Sequence, residues 1–312
     1  MHTYISDLIE VIADGAMDNT YKMAWARALV ELCVCEPEKH LFHLDEFAGL
    51  IFKYYWNQSI FFNLQQGPSA HRKPTIQSLV LNEIHKYQKL QGHQPKTFIR
   101  VADSIQVPTQ RISTILTQNV SERFLRLSGK RMIDTYELDL IQRTVWVKNP
   151  GLIRDHASLL FPQINYRWAQ KLEDFDGSPR IAAKVRGVDQ ENAPKRGDLK
   201  KFKDFLDVEN PSRTCFYSAR SIAARDLAID HVIPWSYLFA DNLWNLVYVD
   251  RRENSAKGNR IPDETTIAKL ESRNKQLLQA LKQQNNRSKH FAELEIAIER
   301  DYLRRFWIGC RG

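Results

Sequence analysis

The chain has 312 residues, 43% of them hydrophobic and 26% charged, with a formal net charge of +8. That length can bury a core and suits two domains, and the composition is that of a globular protein in water. No run approaches the roughly 20 apolar residues of a membrane-spanning helix, and Cys33, Cys35, Cys215 and Cys310 are too few and too scattered for a disulfide framework.

The opening "MHTYISDLIEVIADG" carries acids where a secretory signal carries Lys or Arg, so a cytoplasmic protein is expected. Tyr4, Ile5, Leu8, Ile9 and Ile12 recur at helical spacing, and "DGAMDN" then breaks the pattern. Asn19 or Thr20 can cap a second helix through "YKMAWARALVELCV". Within its end, Cys33 and Cys35 have one residue between them, which suits packing better than a zinc knuckle. "HLDEFAGLIFKYYWNQSIFFNL" predicts a third helix, and "TIQSLVLNEIHKYQKLQG" a fourth. Charge is placed unevenly over this region. Residues 1–50 hold three Lys/Arg against nine Asp/Glu, whereas residues 51–131 hold twelve against three. Basic density of that kind suits a polyanion partner, and a solvated face gives the same pattern.

The segment 99–118 has the outline of a helix-turn-helix, with apolar residues at helical spacing on either side of Val107-Pro108-Thr109. Arg111, Arg123 and Arg126 lie in or just past it, followed by Lys130 and Arg131, and are candidate DNA contacts. DNA contact and plain helical packing both produce this outline. Residues 150–175 predict a helix interrupted by proline, 176–198 a turn-rich basic linker, and 199–209 a short helix. Beyond Pro262 two amphipathic helices are expected. The division that follows is a helical region for DNA or partner recognition over 1–150 and a second domain over 151–312.

Between these stretches lies "IDHVIPWSYLFADNLWNLVYVDRRENSAKGNRIP". Leu227–Ile233 is apolar and partly β-branched, a strand interrupted by Asp230 and His231. Leu246–Val249 predicts a second strand, and "RRENSAKGNR" a short helix stopped by Gly258 and Pro262. Strand, loop, strand, helix makes a ββα unit. Neighbours on a strand face opposite ways, so Asp230 and His231 cannot serve the same atom. One can face a metal between strand and helix, the other a substrate in front of it.

The polar positions of residues 213–262 resemble the HNH nuclease motif of the His-Me finger, or ββα-metal, family. The match runs through Asp230-His231, Pro234 and Ser236, then Asn245 fourteen residues after His231, Asn254 nine further on, and Lys257. It is similar to the HNH domains of CRISPR effectors and of stand-alone HNH restriction-type endonucleases. The resemblance implies a mainly α protein with a small ββα-metal finger (α+β), a helical N-terminal region preceding a C-terminal HNH nuclease domain. His231, Asn245 and Asn254 are the motif's named catalytic positions. Asp230 and Asn254 would offer oxygen ligands to Mg²⁺ or Mn²⁺. His231 would take the proton of the attacking water, and Asn245 would pin the loop to the His231 backbone. Lys257, with Arg251 and Arg252, would meet phosphates. In many HNH proteins four cysteines clamp the finger around zinc; here those positions hold Cys215, Ser218, Asp250 and Glu253, so no structural zinc is expected. Packing by aromatic residues such as Phe216, Tyr237 and Trp244 would replace it.

The function so implied is metal-dependent hydrolysis of phosphodiester bonds in DNA, double-stranded in the first instance, in restriction or anti-phage defence. Two alternatives belong to other classes. One is a partner-regulated effector subunit whose N-terminal half receives a protein partner; the other is a non-catalytic nucleic-acid-binding protein that retains an HNH finger.

Overall fold

The computed structural model describes residues 3–69, 72–126, 132–175, 179–186 and 197–311. Lys130, Arg131 and residues 187–196 of the expected linker lie outside the described residues. The chain forms two compact units: one gathers the described residues of 1–90, 96–176 and 181–192, the other those of 91–95, 177–180 and 193–312.

The first unit holds α1 (Thr3–Asp14), α2 (Tyr21–Cys35), β1 (Leu41–His43), α3 (Leu44–Phe62), α4 (Thr75–Gln91), α5 (Thr109–Asn119), α6 (Ser121–Phe124), β2 (Tyr136–Asp139), β3 (Thr144–Val147), α7 (Pro150–Asp155), α8 (Ala157–Glu173) and α9 (Ile181–Arg186). α1 buries Ile5, Leu8, Val11 and Ile12, one stripe at helical spacing. α2 is buried on nearly every side, and its Trp25 stacks on Phe47 of α3 with ring centroids 4.2 Å apart. α3 starts where Glu46 Oε2 accepts the backbone N–H of His43 at 2.7 Å, and it ends at Asn63 in the left-handed region. The strands form an antiparallel sheet in the order β1-β3-β2, burying Phe42, Tyr136, Val145 and Val147.

Two expectations change in this unit. Residues 98–104 make two single-turn 3₁₀ segments, with Ile99 exposed, so the first helix of a helix-turn-helix does not form. Only α5 is regular, and it buries Ile112 and Leu116 while Ser113 Oγ donates to Asp45 Oδ1 of α3 at 2.5 Å. Its inner face is therefore spent on packing. The boundary expected at 150 also moves: α8 buries Leu160, Ile164 and Trp168 and packs against α1 and α2. The helix break falls at His156, between α7 and α8, while Pro162 sits inside α8.

The second unit holds α10 (Lys203–Glu209), β4 (Leu227–His231), α11 (Trp235–Leu238), β5 (Leu246–Asp250), α12 (Arg251–Lys257), α13 (Glu264–Gln283), α14 (Lys289–Glu299) and α15 (Tyr302–Arg311). β4 and β5 pair antiparallel, Leu227 opposite Asp250 and His231 opposite Leu246. Leu246, Val247, Tyr248 and Val249 are all buried, so β5 is covered on both faces. The C-terminal helices close the core through Leu270, Leu277, Leu294 and Trp307, against Ile233 and Leu243 of the β4–β5 connection. Among the described residues no helix is long and apolar enough to cross a membrane.

Candidate active site

β4 sets Asp230 and His231 side by side, 8% and 4% exposed, and gives them separate partners. Asp230 Oδ2 accepts the Tyr217 hydroxyl at 2.7 Å and lies 3.0 Å from Lys257 Nζ of α12. The same ammonium donates to the His231 carbonyl at 2.8 Å. The His231 ring turns elsewhere, with Nε2 2.9 Å from Asp241 Oδ1. Burial, and then the charge and hydrogen bond of Asp230, push the Tyr217 hydroxyl well above its ordinary range, so it stays a donor. Burial alone would raise the Asp241 carboxyl. The bond and charge of His231, the Gly197 N–H and Lys201 outweigh it and hold that carboxyl below its ordinary value.

Asn245 is fully buried in the turn before β5. Its Oδ1 accepts from the N–H of Ile233 and its Nδ2 donates to the Ile233 carbonyl, both at 2.8 Å. The pinned backbone is thus Ile233, two residues beyond the expected His231. Ser236 Oγ donates to Asn259 Oδ1 at 2.5 Å, which ties α11 to the turn after α12.

α12 begins at Asp250, whose Oδ1 accepts from Arg252 N–H at 2.8 Å, and stops at Gly258, with φ +53° and ψ −122°, a conformation glycine alone adopts freely. Arg251 and Arg252 are exposed on its first turn. Asn254 is half-buried and lies three residues before Lys257, hence on the same face as the side chain that reaches Asp230. Lys257 was expected on a phosphate; its ammonium instead neutralises Asp230. Among the described residues no three His, Cys, Asp or Glu side chains gather at one point. The oxygen-bearing side chains beside α12 are the Asp230 carboxylate, whose Oδ2 is engaged by Tyr217 and Lys257, and the Asn254 amide, donor types suited to a hard cation that keeps several waters.

The four positions where related fingers hold zinc remain partly connected. Cys215 Sγ donates to Glu253 Oε2 at 3.0 Å and accepts the Asp250 N–H at 3.4 Å. Behind them Phe216, Tyr237, Phe239, Trp244 and Tyr248 are buried.

Three residues position this site beyond the motif: Tyr217, which the sequence offers only as a packing aromatic, and Asp241 and Arg273, which no motif marks. Arg273 of α13 is buried, donates to the carbonyls of Leu243 and Leu246, and pairs with Glu209 Oε2 at 3.3 Å. Its neighbour Asn274 donates to the Trp244 carbonyl at 2.8 Å. Together they brace the turn that carries Asn245. The signal was present, because Arg273 and Asn274 fall on the apolar stripe Ile267, Leu270, Leu277, Leu281 of α13.

In the first unit, Arg111 lines an open groove of about 490 Å³ with His85, Lys86 and Lys89 of α4. Glu83 also lines it and pairs with Lys86 at 2.6 Å. Arg123 is exposed outside that lining, and Arg126 pairs with Glu122 one turn away.

The adjacent Asp and His of one strand are thus backed by an amide-pinned loop and a capped helix. Residues 215–263 match the family model described as HNH endonuclease, so this stretch carries an HNH endonuclease domain. The domain marks a nuclease and implies a nucleic-acid substrate, and HNH nucleases are typically dependent on a divalent metal. No curated protein and no solved structure matches the chain.

Proposed function

We propose that the protein is a metal-dependent endonuclease that hydrolyses phosphodiester bonds of double-stranded DNA. The observation that carries this reading is the separation of duties on β4: Asp230 faces α12 and His231 faces Asp241, so a charge site and a base site stand next to each other without competing. Asp230 and Asn254 would hold Mg²⁺ or Mn²⁺. When bound, such an ion supplies charge neutralisation at the scissile phosphate and the leaving 3′ oxygen.

The chain's own residues supply the remainder. His231 takes a proton from the attacking water, with Asn245 holding the backbone behind it in place. Lys257 balances the Asp230 carboxylate and links it to the His231 carbonyl. Arg251 and Arg252, exposed at the start of α12, suit phosphates beside the scissile one. The groove lined by His85, Lys86, Lys89 and Arg111 suits phosphates, and the first unit would choose the target or receive a protein partner. A role in restriction or anti-phage defence follows from the family resemblance.

The test is cleavage of supercoiled plasmid by purified protein in Mg²⁺, in Mn²⁺ and in chelator. The proposal expects relaxed or linear product with either metal and none in chelator. Equal cleavage in chelator would contradict the metal dependence, and no cleavage of modified or unmodified plasmid under any condition would favour a non-catalytic finger.

A further inference from the structure

We propose that Asp241 is a positioning residue that fixes the tautomer of His231, so that Nδ1 is the nitrogen offered to the attacking water. This rests on the reading of His231 as the base. Asp241 Oδ1 stands 2.9 Å from His231 Nε2, in a pair whose side chains are 4% and 11% exposed. An ionised carboxylate only accepts hydrogen bonds, so the proton of the neutral ring sits on Nε2 and the lone pair on Nδ1. Among the described residues Nδ1 makes no hydrogen bond, which leaves that lone pair available.

The carboxylate is itself held. Its Oδ2 accepts the backbone N–H of Gly197 at 3.0 Å. A Cβ on residue 197 would lie 2.6 Å from that oxygen, so any other residue there would displace the carboxylate. The helix before Asp241 ends in a left-handed cap. Phe239, two residues earlier, has φ +57°, a conformation unfavourable for a bulky side chain. Its carbonyl accepts from Arg180 Nη1 at 2.8 Å, and its ring packs on Trp235 with centroids 4.7 Å apart.

The Gly197 N–H makes the test discriminating. In Asp241→Asn the amide oxygen must take the Gly197 N–H, which turns the amide NH₂ toward His231. The ring then has to accept at Nε2 and carry its proton on Nδ1, the inverted tautomer. Long-range ¹H–¹⁵N spectra of the full chain, at a pH where the ring is neutral, report the tautomer directly. The chain has nine histidines, and the His231 signals are assigned by their loss in His231→Ala.

The expected result is an Nε2–H ring in the wild type and an Nδ1–H ring in Asp241→Asn. The same variant should lose about 10²–10⁴-fold in kcat for DNA cleavage, with KM little changed. Gly197→Ala, which displaces the carboxylate without removing it, should give a smaller loss in the same direction. A wild-type ring protonated on Nδ1, an unaltered tautomer in Asp241→Asn, or wild-type kcat in that variant would each overturn the assignment. If the wild type cleaves no DNA while the tautomers behave as stated, the nuclease reading fails and the positioning role of Asp241 stands.

Discussion

Asp230 and His231 illustrate what one peptide unit of separation accomplishes. On a strand it sends the two side chains to different partners, so substitutions at the two positions should have different signatures. Asp230→Ala removes the anionic oxygen beside α12, and calorimetric titration should show Mg²⁺ or Mn²⁺ affinity lost. Asn254→Ala removes a neutral oxygen and should weaken the same affinity more mildly. His231→Ala should leave metal affinity near wild type. Equal loss in Asp230→Ala and His231→Ala would make the imidazole a ligand and require another base. This pair was legible in the sequence because two polar residues interrupt an apolar strand. The partners were not. Lys257 lies twenty-six residues from His231 and Tyr217 thirteen from Asp230, and only folding brings them to one carboxylate.

At the level of elements, the site depends on how the β4–β5 connection is braced. Arg273 satisfies two carbonyls of that connection and is balanced by Glu209, all in a buried setting where burial pulls its pKa down and Glu209 opposes the shift. Truncation leaves the carbonyls and a carboxylate without their cation, so Arg273→Ala should cost about 3–5 kcal/mol in denaturant unfolding. A loss below about 1 kcal/mol would show that the brace carries little. The helices of the first unit were readable from periodicity, as α1 shows with its buried Ile5, Leu8 and Ile12. The strands β1, β2 and β3 were not, since runs of three or four residues carry too little alternation. The helix-turn-helix outline misled for a related reason: the apolar spacing around Ile99 is matched by 3₁₀ turns that leave that side chain in solvent. What the same segment does provide is Arg111, brought beside Lys86 and Lys89. Reversing those three charges should weaken DNA binding for all sequences and flatten its salt dependence, read as the slope of log affinity against log salt. Unchanged affinity and slope would make the groove a solvated face.

For the whole molecule, the domain match identifies the nuclease class from a short C-terminal stretch, while the larger helical unit has its own core and its own boundary. The division at 150 could not be read locally, because α8 looks like any amphipathic helix until its Leu160, Ile164 and Trp168 are seen against α1 and α2. In the second unit, a thiol, a carboxylate and a backbone N–H hold the positions that zinc clamps elsewhere. Purified protein should therefore contain no stoichiometric zinc and keep its thermal midpoint in chelator; one tightly held zinc per chain by elemental analysis would refute this. The central claim is that His231 activates water for DNA cleavage. It is tested most directly by single-turnover cleavage of plasmid in Mg²⁺ by the wild type and by His231→Ala, with DNA binding measured alongside. The account predicts unchanged binding, a rate lower by about 10²–10⁴-fold, and partial recovery with added imidazole. A His231→Ala protein that cleaves at the wild-type rate would contradict it.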